Sequence, residues 1–179
     1  MVMTKRGWMI GILAAIVATS AIAGLAADES WWRSCVTVDS ELPVAVQEMV
    51  LEALVGREGE YAAYATYAAI IDTYGEVNPF TNIMASEARH IEALTSILDA
   101  YGVPYPEENP YLGTIDVPES LAAAAQAGVD AEIANVDLYE GQLEAVADYP
   151  EITEVFLNLQ SASLHQHLPA FERAAERYS

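Results

Sequence analysis

Four stretches of this chain repeat apolar side chains at steps of three and four residues, separated by a tight turn, a long proline-rich connection and a second tight turn. That period belongs to helices with one buried face. No segment alternates apolar and polar residues as a half-buried strand would. The first stretch carries Val44, Val46, Met49, Val50 and Leu54, then Tyr61, Tyr64, Tyr67, Ala68 and Ile71. It predicts one helix over 44–74, with Gly56 and Gly59 as weak points that mark a kink. Gly75 stops it. Asn78-Pro79, a capping Asn and a Pro at the first helical position, predicts a second helix through Ile83, Met84, Ile91, Leu94 and Leu98 to about Tyr101. Gly102, Pro104, Pro106 and Pro110 then break the chain, and the stretch to Val117 must cross the domain. Pro118 opens a short alanine-rich helix, a third long helix is expected over 129–147, and Asp148-Tyr149-Pro150 turns directly into a fourth that ends near Tyr178.

Helices joined by short turns lie antiparallel, and the long middle connection is the crossover of a four-helix bundle in the ferritin-like arrangement. The fold class is therefore all-α, with the bundle over 44–179, a linker or arm over 28–43, and a separate apolar segment over 1–27. Gly7 to Ala27 holds no charged residue, follows Lys5-Arg6 and ends in small residues. It reads as an export signal peptide cleaved at its Ala-x-Ala steps, or, uncut, as a membrane anchor. Either reading puts the bundle outside the cytoplasm, secreted or held on the outer face of the membrane. Cys35 is the only cysteine, so no intrachain disulfide can brace the fold.

Charge excludes some partners. The chain has 27 acidic residues against seven basic ones, a formal net charge of −20. Such a surface repels nucleic acid and anionic lipid. It also suits a protein kept hydrated in concentrated salt. Membrane contact is expected only through the N-terminal segment, and homo-oligomer formation is left open. No nucleophile triad, phosphate-binding glycine loop or thiolate cluster is present.

The chemistry lies in Glu87 and His90, three residues apart and so on one helical face. Glu-x-x-His is the spacing with which bundles offer a metal one oxygen and one nitrogen. Glu132 lies 16 residues before Asp148 and His167 lies 17 after Pro150, so the two stand level on helices three and four. Glu60 is 15 before Gly75 and Glu87 is 12 after it, which matches once the extended turn is allowed for. Glu60, Glu87, His90, Glu132 and His167 thus share one layer, each on an apolar stripe. Taken singly, a carboxylate there could turn out to water, as Glu58, Glu92 and Glu140 do. A shared inward depth points to a metal site, since buried carboxylates are costly unless paired or bound to metal.

Phe80-Thr81-Asn82-Ile83 leading into Ser86-Glu87-x-Arg89-His90, the Tyr67-to-Tyr74-Gly75 helix end, Glu132-Ile133-Ala134-Asn135-Val136-Asp137-Leu138, and Asn158-Leu159 followed by His167-Leu168-x-Ala170-Phe171 resemble the domain of unknown function 2202 family, a ferritin-like group. The resemblance runs from roughly Glu41 to Tyr178. It implies a carboxylate-bridged metal site and, by analogy with rubrerythrin-like proteins, iron oxidation or peroxide and oxygen chemistry. One departure stands out: the ferritin-like pattern wants a second Glu-x-x-His, and three residues before His167 is Leu164. Three carboxylates bring −3 against +4 for two divalent ions, so a two-ion site needs a bridging hydroxide or another acid. A single-ion site of two His and one or two Glu is as easily drawn. Iron or manganese suits these ligands, and zinc is compatible.

Glu60 and Glu87 would be bridging or terminal oxygens, Glu132 the carboxylate of the second pair, and His90 and His167 terminal nitrogens. Tyr64 and Tyr67 would hydrogen-bond the ligands, be oxidised, or simply pack. Pro169 should bend the fourth helix, and His165 should face away. Two functions follow: an exported metal-binding protein with ferroxidase or peroxide- or oxygen-linked oxidoreductase activity, or a non-catalytic envelope bundle with a degenerate site. Leu164 favours the second. Metal storage would need a closed cage of subunits.

Overall fold

A computed structural model describes residues 31–179, and the apolar segment 1–27 lies outside them. The described chain forms six α-helices and no strand: α1 Val44–Val55, α2 Glu60–Tyr74, α3 Phe80–Ala100, α4 Leu121–Gln142, α5 Pro150–Ala162 and α6 Leu168–Tyr178. A π-helical turn, Ser163–His167, joins the last two, and a 3₁₀ turn covers Trp31–Cys35. None of the described helices is long and apolar enough to cross a membrane. α1 with α2, α3, α4, and α5 with α6 make the four rods of an all-α bundle. α2 packs along α3 and α4 along α6.

Where the period predicts one helix over 44–74, the chain breaks completely between Val55 and Glu60. Gly56 is extended, with φ −64° and ψ 167°. A Cβ on Gly56 would stand 2.4 Å from the Glu52 carbonyl oxygen, and one on Gly59 would stand 2.5 Å from that of Ala53. The backbone folds onto the end of α1, and only glycine permits the approach. Helix three differs in the opposite sense. The alanine-rich segment is continuous with it, so α4 begins at Leu121, capped by the Ser120 hydroxyl accepting from the Ala123 N–H, and ends at Gln142 rather than 147. Helix two starts at Phe80; Asn78 precedes a cis peptide bond to Pro79 and does not cap it. Gly75 stops α2 at φ 85°, as glycine at a helix end should.

The crossover runs beside α2. At its start the Tyr61 hydroxyl donates to the Pro106 carbonyl at 2.8 Å, and Asn109 Nδ2 donates to the Tyr61 carbonyl at 2.7 Å. At its end the Tyr74 hydroxyl donates to the Pro118 carbonyl. Residues 31–43 lie on the bundle, with Trp32 and Leu42 in the core and Trp31 more open. The Gln47 amide donates to the Thr37 and Leu42 carbonyls and holds this arm down.

The interior divides into two apolar clusters. One contains Val50, Leu54, Tyr61, Leu94, Leu98, Tyr139, Phe156 and Leu159; the other contains Tyr67, Phe80, Ile83, Ala125 and Phe171. On α3 the order is Ile83, Glu87, His90, Leu94; on α4 it is Ala125, Glu132, Tyr139; and on the last rod it is Leu159, His167, Phe171. The acidic and imidazole layer therefore lies between two dry plugs. Gly128 on α4 is part of this closure, because a Cβ there would meet the Phe171 ring at 2.6 Å. That ring is fully buried and packs on Tyr67 and Phe80 with centroids 5.1 and 5.3 Å away. It has nowhere to go. Gly128→Ala is expected to lower stability by ~1–3 kcal/mol through overpacking, against the gain that Ala usually brings to a helix interior, as urea unfolding would measure.

Candidate metal centre

All five residues predicted for the layer are buried and converge. They form two triads sharing Glu87: Glu60, Glu87 and His90, and Glu87, Glu132 and His167. In each, one ligand atom per residue lies within 4.8 Å of the others. His90 Nδ1 is 2.8 Å from Glu87 Oε2 and 3.2 Å from Glu60 Oε2. His167 Nδ1 is 3.1 Å from Glu87 Oε1 and 3.3 Å from Glu132 Oε2. Glu87 thus presents one oxygen to each triad. The two imidazoles stack, 5.4 Å apart and 22° from parallel.

On His90, Glu60 and Glu132 the remaining polar atom is tied by a neighbour. His90 Nε2 stands 3.3 Å from the Ser86 hydroxyl, so an Nε2–H there donates to Ser86 and leaves Nδ1 for the centre. The Tyr139 hydroxyl donates to Glu60 Oε1 at 2.6 Å, and the Tyr67 hydroxyl donates to Glu132 Oε1 at 2.6 Å. Each terminal carboxylate therefore has one oxygen fixed by a tyrosine and the other facing an imidazole. Of the roles left open for the two tyrosines, Tyr67 takes the hydrogen-bonding one; Tyr64, half-buried, makes no hydrogen bond to these carboxylates. Tyr139 does, and it was legible only as a member of the apolar stripe. Asn135 stood only within the Glu132-to-Leu138 motif, with no role assigned to it. Its Nδ2 donates to Glu60 Oε1 at 3.2 Å and to the Glu58 carbonyl at 3.0 Å, and its Oδ1 accepts from Ser163 at 2.8 Å. Its signal is position alone, one turn beyond Glu132.

The last rod adjusts to bring His167 inward. Pro169 lacks an N–H and cannot complete the α-helical ladder. The chain responds with the π-helical turn over Ser163–His167, in which the Leu168 N–H reaches back to the Ser163 carbonyl. The wider turn places Ser163 and His167 together inside and leaves Leu164, His165 and Gln166 exposed. Such turns recur at functional sites. Leu164 is therefore not the inward neighbour of His167; Ser163 is. His165 faces away, as its spacing from His167 predicts.

Protons hold the layer together electrically. Burial disfavours a charged His90, but hydrogen bonds and charge from Glu60 and Glu87 outweigh it and lift its pKa to about 10. His167 is likewise carried past the burial penalty by Glu132 and Glu87, to about 9. Burial would raise Glu60 too, yet hydrogen bonds with His90, Glu87 and Tyr139 and the charge of His90 bring it to about 2. Glu87 moves up to about 7, because burial and the negative charge of Glu60 exceed the help from His167 and His90. Burial and the nearby carboxylates push the Tyr67 and Tyr139 hydroxyls well above the ordinary tyrosine value, so both stay donors.

Do these residues fit a metal? Glu87 Oε1 and His167 Nδ1 are fully buried and pair at 3.1 Å, yet neither makes a well-aligned hydrogen bond. Buried polar atoms so poorly served by hydrogen bonds are suited to hold a cation in place of the proton that now pairs them. Carboxylate oxygen with imidazole nitrogen is a donor set that first-row divalent ions accept. The buried Glu/His cluster could hold a metal ion.

No family model matches this chain, and no curated protein does. Among solved structures it is similar to the crystal structure of a hypothetical protein from Methanococcus jannaschii. The two are 24% identical over 74% of this chain and 80% of that one, with a TM-score of 0.63. This likeness speaks for the fold alone, a helical bundle.

The pKa shifts make the metal-free protein sensitive to alkali. A histidine whose pKa rises on folding adds stability that is fully present below its unfolded value, about 6.5, and disappears as pH climbs through the folded value. With His90 at about 10 and His167 at about 9, stability in the presence of a chelator is expected to fall as pH rises from near neutrality through that range. Thermal unfolding across it provides the check, and a bound metal, replacing the protons, should flatten the decline.

Proposed function

We propose that this chain is an exported ferritin-like protein of the domain of unknown function 2202 family, holding one or two ions of iron or manganese on Glu60, Glu87, His90, Glu132 and His167. The observation that carries the reading is Glu87, whose two oxygens face two separate imidazoles at 2.8 and 3.1 Å. A carboxylate so placed is suited to bridge. Bound iron or manganese would supply one-electron chemistry towards oxygen or peroxide, the basis of a ferroxidase or related oxidoreductase activity. The protein's part is to hold the ligands. Tyr67 and Tyr139 fix the outer oxygens of Glu132 and Glu60, so each terminal carboxylate offers one defined oxygen. The apolar clusters on either side exclude water. Both imidazoles must release a proton at Nδ1 to bind a cation, so metal uptake should tighten as pH rises. Export is supported by Lys5-Arg6 and the uncharged run that follows.

The second reading is a non-catalytic envelope bundle whose site has decayed, favoured by the missing carboxylate on the last rod. Metal content separates the two. Elemental mass spectrometry of the full chain, loaded with iron, manganese and zinc together, is expected to find metal, and a Glu87→Ala, His90→Ala double variant is expected to lose it. Bound metal should also raise the melting temperature, since a ligand at a hundred times its Kd stabilises by about 2.7 kcal/mol. A folded wild type without metal would leave the structural bundle.

A further inference from the structure

The polar groups behind the ligands carry no charge. Asn135 is 5% exposed and Ser163 is 2% exposed. Ser163 donates to Asn135, and Asn135 donates to Glu60, so a run of hydrogen bonds connects the π turn that carries His167 to the first triad. Ser163 is the buried neighbour of His167 on the last rod, while Leu164, the place a second Glu-x-x-His would give to a carboxylate, is turned out. The buried side chain beside His167 is a neutral hydroxyl bound to a neutral amide.

The consequence is a charge deficit. With both imidazoles neutral, Glu60, Glu87 and Glu132 bring −3, and two divalent ions bring +4. A net positive charge between two apolar clusters is expensive, because neither solvent nor a counter-charge is at hand. We propose that Asn135 and Ser163 set the charge of the centre, so that its second divalent ion binds far more weakly than its first unless a small monoanion from solution joins it. This rests on the metal-binding reading above. Asn135 and Ser163 are positioning residues in this account, holding Glu60 and the π turn while withholding the fourth negative charge.

The test is a calorimetric titration of the full chain with Mn²⁺, with and without formate as the monoanion, and electron paramagnetic resonance counting the bound ions. Wild type should show two steps, the second at least about tenfold weaker and strengthened by formate. Asn135→Asp, similar in shape though it loses the donors to Glu60 and the Glu58 carbonyl, should strengthen the second step without formate and abolish the formate effect. Ser163→Asp introduces the charge from the other side of the pair and should act in the same direction; it keeps the question open to refutation if Asn135→Asp does not fold. Ser163→Ala, which cuts the hydrogen bond but adds no charge, should leave the formate effect in place. Two equal steps in wild type, a second step indifferent to formate, or a folded aspartate variant with an unchanged second step would each overturn the proposal while leaving the metal centre standing. Absence of even the first step would overturn both.

Discussion

Burying five ionisable side chains in one layer obliges them to neutralise one another, and the rest of this structure is arranged around that obligation. Three carboxylates face two imidazoles at 2.8 to 3.3 Å. Without metal, protons balance them: contact with the carboxylates raises the pKa of both histidines, and burial with the charge of Glu60 raises that of Glu87. A cation introduced into the layer would take over the role of those protons. The same geometry thus suits the metal-free fold and could hold a cation.

The tyrosines show how the ligand helices constrain each other. Glu60 and Tyr67 are seven residues apart on α2, and Glu132 and Tyr139 are seven apart on α4. Each tyrosine donates to the glutamate of the other helix. Two turns of helix separate each pair, so the helices are tied crosswise at two heights. Both hydroxyls lie in the dry interior, where a hydrogen bond to a carboxylate is strong and an unmade one is costly. Beneath Glu132 the packing continues through Tyr67 to Phe171 and Gly128. Apolar closure and ligand orientation are therefore parts of one contact system.

The π turn resolves a conflict within the last rod. His167 must point inward, while Pro169 removes the hydrogen bond that an undisturbed helix would need at that place. One residue earlier, the Leu168 N–H reaches the Ser163 carbonyl five residues back instead of that of Leu164, and the turn widens. Ser163 gains an inward position that a strict three-residue spacing assigns to Leu164. The buried place beside His167 is thus held by a serine hydroxyl bonded to the Asn135 amide, both uncharged.

Periodicity, turn residues and distances from the turns were enough to read four rods, one crossover and a common depth for Glu60, Glu87, His90, Glu132 and His167. These depend on helical rise and on the antiparallel course of short connections, which are local rules. The complete break between α1 and α2 was hidden because Gly56 and Gly59 signal weakness without saying which carbonyl they must approach. The continuity of α4 was hidden too: the alanine-rich stretch after Pro118 lacks the large apolar residues that mark the helix expected over 129–147, and Gly128 at their junction is fitted to the Phe171 ring. Asn135, Tyr139 and the π turn gain their roles from partners 28 to 79 residues away in sequence. Local pattern set the ingredients and their level in the bundle. Which oxygen each side chain turns inward, and what holds the other, were left to long-range packing, because hydrogen bonds between rods exist only once the rods have met.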